Sequence, residues 1–246
     1  KLTKSSADTI LTSGNNCYDL TGTEFTVYED EALTKVAGKL TVEADGMSNV
    51  LDNIKAGTYY AKETKAGKGY FPDLKTYPIE VNPGETAELI VVNQPMDNPV
   101  SVLLRKEDIN DKTPLALAEF TVKFYGGDYS DNVDPATLGV IPTRTWVLRT
   151  DGNGVANFRS GQESFTYDSK TYNYKVSGDN FYFNNLNQPT LPLGTITIQE
   201  TKAPKDYKVN NEVFVRKIQP DSTLDSVIIY NPPTVPNELI PGKLQV

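Results

Sequence analysis

With 246 residues, 27.1 kDa, 38% hydrophobic and 23% charged residues, the chain has the composition of a folded protein with room for two modest cores. Its 32 acidic residues outnumber 24 basic ones, which argues against nucleic acid as a partner held through phosphates. The absence of histidine removes His-based acid–base work, His-liganded zinc and Ser-His-Asp catalysis.

In chain order, short runs of period-two alternation recur between turn signals, and no stretch holds a helical period long enough to matter. The opening KLTKSS puts Leu2 and Lys4 on one face, with Lys1, Thr3 and Ser5 on the other. Cys17 has no internal disulfide partner and reads as a buried, inert thiol. The strand EFTVYED follows, then the Asp45-Gly46 turn, and then GTYYAKET, in which Tyr59, Ala61 and Glu63 share a face. TYPIEVN and AELIVVNQP close the first series, the latter aligning Leu89, Val91 and Asn93. Met96 to Pro99 reads as a tight linker.

The series then repeats. In SVLLRK, Val102, Leu104 and Lys106 share a face. AEFTVKFY answers to EFTVYED, and RTWVLRT follows. Between these two strands, Asp128, Asp131 and Asp134 stand at calcium-like intervals but lack the glycine and terminal glutamate of an EF-hand, so a solvated loop is expected and no metal. The stretch from Phe158 to Phe183 is rich in aromatics, which suits strands packing an inserted hairpin, with a protein or glycan contact surface as the alternative. GTITIQET aligns Ile196, Ile198 and Glu200, NEVFVRKI follows, and DSVIIYNPP aligns Val227, Ile229 and Asn231. This order predicts an all-β protein of two tandem β-sandwich domains: residues 1–98, and 99–233 with an insertion at about 126–190. Residues 234–246 read as a proline-rich linker that turns strand-like at Lys243 to Val246, as the start of a further module.

Each copy thus turns one lysine, one glutamate and one asparagine towards a core, which is costly if the groups stay charged and unpaired. Burial lowers a lysine pKa and raises that of a carboxyl group, so a free amine and a proton donor can coexist. Attack of the amine on the asparagine side-chain carbonyl, with the glutamate moving protons, expels ammonia and leaves an amide cross-link.

The patterns E-F-T-V, then E-T-K-A-x-x-x-Y, then an apolar strand ending in N-x-P, resemble the Cna-B type, or SpaA-type prealbumin-like, modules of Gram-positive surface proteins and pilins. The resemblance covers nearly the whole chain, twice. It implies an immunoglobulin-like (prealbumin-like) sandwich in each copy and isopeptide bonds from Lys4 to Asn93 under Glu63, and from Lys106 to Asn231 under Glu200. It also implies no cofactor, no turnover on external substrates, and an extracellular place at the cell wall. The expected role is a stalk or shaft segment in contact with neighbouring modules or pilus subunits and without membrane insertion. The alternative is an adhesin module that recognises host protein or glycan through the aromatic-rich insertion.

Overall fold

A computed structural model describes residues 1–159, 161–223 and 226–242. The chain forms two compact units, one of Lys1–Met96 with Pro220–Val227 and one of Asp97–Gln219 with Ile228–Val246. The first unit carries β1 (Leu2–Ser6), β2 (Glu24–Tyr28), β3 (Val36–Thr41), β4 (Gly57–Lys65), β5 (Thr76–Val81) and β6 (Leu89–Asn93). The second carries β7 (Asp97–Pro99), β8 (Val102–Asp108), β9 (Glu119–Tyr125), β10 (Arg144–Arg149), β11 (Val155–Asn157), β12 (Ser164–Tyr167), β13 (Lys170–Asn173), β14 (Lys175–Gly178), β15 (Tyr182–Phe183), β16 (Pro189–Pro192), β17 (Gly194–Lys202), β18 (Val213–Ile218) and β19 (Thr234–Asn237).

In the first unit an antiparallel sheet of order β3-β2-β4-β5 faces the parallel pair β1-β6. Alternation decides which residues meet between the layers. Leu2, Phe25, Val27, Leu40, Val42, Tyr59, Ala61 and Val91 form the buried cluster. Each large aliphatic or aromatic side chain so buried contributes about 1.5–3 kcal/mol relative to exposure. A helical turn, Thr9–Thr12, follows β1 and is capped by the Asp8 carboxylate, which accepts from the Ile10 and Leu11 N–H groups at 2.9 and 3.3 Å.

The second unit repeats this plan with additions. Its main sheet runs β14-β10-β9-β17-β18, and β9 and β17 pair as β2 and β4 do. Apart from the short β7, its first and last strands, β8 and β19, again pair in parallel, with β11 on the other side of β8. The insertion supplies the hairpin β12-β13, the extra edge strand β14 and, with β7, a small sheet of order β15-β16-β7.

Three expectations need correcting. The segment predicted as a linker at Met96 to Pro99 contains β7, which hydrogen-bonds to β16 and so belongs to the second unit. The predicted last strand DSVIIYN is not one: from Ile228 to Asn231 the backbone has no ladder partner, and Asn231 is exposed. The last strand is instead β19, within residues expected to be linker, because Thr234–Asn237 pairs in register with Arg105–Asp108 of β8. The suggested strand at Lys243 to Val246 lies outside the described residues.

Four aromatics of the insertion are core residues, while Phe165, Tyr172, Phe181 and Phe183 are half-buried and Tyr167 is exposed. Trp146 and Phe158 are fully buried with ring centroids 5.5 Å apart, Tyr174 and Tyr182 are buried, and the Arg144 guanidinium lies 3.5 Å over the Tyr182 ring. In the acidic loop, the Lys217 ammonium bridges Asp128 at 2.9 Å and Asp131 at 3.1 Å. Among the described residues, no group of three or more Cys, Asp or Glu is arranged to hold a metal ion. Cys17 is buried.

Candidate functional site

A parallel pair formed by the first and last strands of a unit brings the two ends of that unit's sequence side by side. In the first unit Lys4 of β1 is opposite Val91 of β6, and Asn93 lies two residues further along. Because residues two apart share a face, Lys4, Val91 and Asn93 all point to the core. In the second unit Lys106 of β8 is opposite Val235 of β19, and Asn237 lies two residues further along. The glutamates come from the facing sheet, Glu63 opposite Phe25 and Glu200 opposite Phe120.

In the first unit the Lys4 ammonium donates to Glu63 Oε2 at 2.7 Å, with both side chains wholly inaccessible. Asn93 Nδ2 donates to the same oxygen at 3.0 Å, so amine and carboxamide converge on one carboxylate atom. The other carboxylate oxygen accepts the Asp73 N–H at 2.8 Å, which fixes the plane of the group. The Lys4 amine lies 4.5 Å from the centroid of the fully buried Phe25 ring. Burial pulls the Lys4 pKa below its usual value, and the hydrogen bond and charge of Glu63 oppose that shift in part.

The second unit is built alike. Asn237 Nδ2 donates to Glu200 Oε1 at 3.0 Å, and the Asn210 N–H donates to Glu200 Oε2 at 2.6 Å. The Lys106 amine is 3.8 Å from Glu200 Oε1 and donates to the Val235 carbonyl at 2.8 Å. Burial pulls the Lys106 pKa down to about 8, against the attraction of Glu200. A fraction of this amine is therefore neutral near physiological pH.

Of the predicted site residues, Lys4, Glu63 and Asn93 come together, and so do Lys106 and Glu200. Asn231 does not join them. It is exposed, and its backbone carbonyl accepts from the Arg216 guanidinium at 3.3 Å. The likeness of VIIYNPP to LIVVNQP misplaces the asparagine by one short segment. The signal that could have found Asn237 is the alternation in T-V-P-N, which puts Val235 and Asn237 on one face as Val91 and Asn93 are. The prolines that obscure it are tolerated on an edge strand.

Each cluster holds one further anomaly. Asn93 Oδ1 and Asn237 Oδ1 are buried and accept no hydrogen bond. Leaving such an acceptor dry costs about 1–3 kcal/mol. A carbonyl stripped of water, its amide nitrogen held by a carboxylate that also attracts a desolvated amine, is arranged for acyl transfer. The Nζ lone pair can add to Cγ, a proton can pass from Nζ through the carboxyl group to Nδ2, and the Cγ–Nδ2 bond can break to release ammonia. One amide is exchanged for another without oxidation or reduction.

The family model for SpaA, a prealbumin-like fold domain, matches residues 10–95 and 100–232. These segments include Glu63, Asn93, Lys106 and Glu200 and stop short of Lys4 and Asn237. No curated protein matches the chain. Among solved structures, the Bacillus anthracis TIE protein is similar at a TM-score of 0.58 and 22% identity, over 97% of this chain and 33% of that chain. This chain thus spans about a third of that one. The C-terminal fragment of the pilus adhesin SpaC from Lactobacillus rhamnosus GG is similar at a TM-score of 0.50 and 14% identity, over 99% of this chain and 98% of that one. At these identities the likeness is one of fold.

Proposed function

From the premise that the chain belongs to the SpaA family of prealbumin-like fold domains, we propose that it is a shaft or stalk segment of a Gram-positive pilus or surface adhesin, exposed at the cell wall. In this reading each unit ties its own first and last strands by an isopeptide bond, Lys4 to Asn93 promoted by Glu63 and Lys106 to Asn237 promoted by Glu200. The observation that carries it is the same buried lysine–glutamate–asparagine arrangement in both units, each with an unpartnered amide carbonyl. A bond between first and last strands puts the load on covalent structure when the ends of a unit are pulled, and it shortens the unfolded chain as a disulfide does without being reducible. Lysine and asparagine are consumed once in forming the bond and the glutamate is returned unchanged, so the chemistry serves the protein's own architecture and not an external substrate. Neighbouring pilus subunits or modules are the partners this role calls for. Phe158, Tyr174 and Tyr182 of the insertion lie in the core and so are not free to recognise a host ligand.

The test is the intact mass under denaturing conditions. Two bonds lower it by about 34 Da, one ammonia of about 17 Da each. A chain at its full calculated mass would overturn the proposal.

A further inference from the structure

In a parallel ladder the backbone groups of alternate residues face the partner strand, and those between face away. In β6 the Leu89 N–H donates to the Lys1 carbonyl at 3.0 Å, and the Asn93 carbonyl accepts from the Ala7 N–H at 2.8 Å. Residues 89, 91 and 93 thus serve β1. The N–H and C=O groups of Ile90 and Val92 face the open edge, and among the described residues no hydrogen bond reaches them. Their side chains are also 72% and 52% exposed.

The second unit closes the same edge. Pro236 stands where Val92 does, so there is no N–H to offer, and its carbonyl accepts from the Asn210 side-chain amide at 3.1 Å. Proline on an edge strand is a common device against unwanted pairing. The first unit has Asp73 in the place of Asn210, since each donates its backbone N–H to the glutamate of its own cluster. A carboxylate has no hydrogen to give the Val92 carbonyl. One unit is protected twice at a position the other leaves open.

We infer that β6 is a self-association edge: it pairs antiparallel with β6 of a second copy of this chain, about a two-fold axis through Val91. The stretch Ile90-Val91-Val92 is self-complementary in that register. Ile90 stands opposite Val92 of the second copy and Val92 opposite its Ile90, each as a hydrogen-bonded pair, so four bonds satisfy all the open groups of both strands. The Ile–Val pairs pack side by side on the outer face. The edge is short and buries little, so the dimer is weak and concentration-dependent. The net charge of −8 opposes it, so added salt favours it. The inference rests on backbone pairing and is independent of the cross-link reading.

Sedimentation equilibrium of the full chain tests it. The average mass is expected to rise above the single-chain 27.1 kDa with concentration and with salt. Val92→Pro, which copies the second unit's own residue and removes no bond to β1, is expected to hold the mass at the single-chain value throughout. Ile90→Lys keeps the backbone intact and is expected to do the same. Under oxidising conditions, chains carrying Ile90→Cys and chains carrying Val92→Cys are expected to cross-link with each other in preference to themselves. A wild-type chain that stays single up to about 1 mM, variants that associate as the wild type does, or a preference for same-residue cross-links would each overturn the inference.

Discussion

The clusters turn on what removal of one partner leaves behind. Glu63→Gln keeps a hydrogen-bonding group of the same shape but cannot carry a proton between Nζ and Nδ2. It is therefore expected to fold and to show one ammonia loss fewer, about 17 Da, by intact mass. Glu63→Ala leaves Lys4 buried without its counter-charge, and a loss of about 3–5 kcal/mol is expected in denaturant unfolding, in addition to the missing bond. The pH dependence belongs to the same scale. In an unlinked Asn237→Ala chain, Lys106 has a folded pKa of about 8 against an ordinary value of 10.5. Between those values the unfolded chain holds a proton that the folded chain lacks, so stability rises with pH across the window. The Asn237→Ala melting temperature is expected to gain on that of Asn237→Ala/Lys106→Met as pH goes from 8 towards 10. Parallel curves for the two would show that Lys106 does not titrate there.

At the scale of elements, the register of the parallel pair decides which asparagine can meet the lysine. Asn237→Ala is expected to reduce the shortfall from its own calculated mass by one ammonia, about 17 Da, whereas Asn231→Ala keeps the full shortfall, because Asn231 is exposed outside any ladder. The lysine strand is also held from its other side. The Lys4 N–H donates to the Gly46 carbonyl and the Lys106 N–H to the Gly154 carbonyl, both at 2.7 Å. Each glycine has a left-handed backbone, φ +79° and +68°, and a Cβ would lie 2.9 Å from the Lys4 carbonyl oxygen and 2.2 Å from that of Lys106. Gly154→Ala meets both strain and a backbone clash, so its unfolding free energy is expected to fall by about 3 kcal/mol, measured in a chain with Asn237→Ala so that the covalent tie does not mask it. Alternation alone showed that Lys4, Glu63, Lys106 and Glu200 face inward. It could not show which of two asparagine-bearing segments returns to the first strand, because that choice rests on hydrogen bonds between residues more than a hundred positions apart.

For the whole molecule the consequence is mechanical. With the proposed ties formed, chain between Lys4 and Asn93, and between Lys106 and Asn237, cannot extend. Pulled from its termini, the wild-type chain is expected to lengthen only through its connecting segments. Asn93→Ala should release about 300 Å more, at roughly 3.4 Å per residue, in single-molecule force spectroscopy. Equal lengths for the two would count against a tie in the first unit. Each proposed tie would enclose most of its unit, and by the loop-closure relation it is expected to add about 4–5 kcal/mol of stability.

The all-β class, the twofold repetition and the inward placement of Lys4, Glu63, Asn93, Lys106 and Glu200 were legible in the sequence, since these follow from period-two alternation and from motifs that recur in order. The sequence also determined the chemical types in the clusters, because a lysine or glutamate on an apolar face is visible wherever the strand lies. The tertiary structure alone decided that Thr234–Asn237 is the closing strand, that Asp97–Pro99 is paired, and that Trp146, Phe158, Tyr174 and Tyr182 are the aromatics of the insertion that enter a core. Those outcomes depend on which edge a distant segment can reach with its backbone donors and acceptors satisfied, and local pattern carries no information about that pairing.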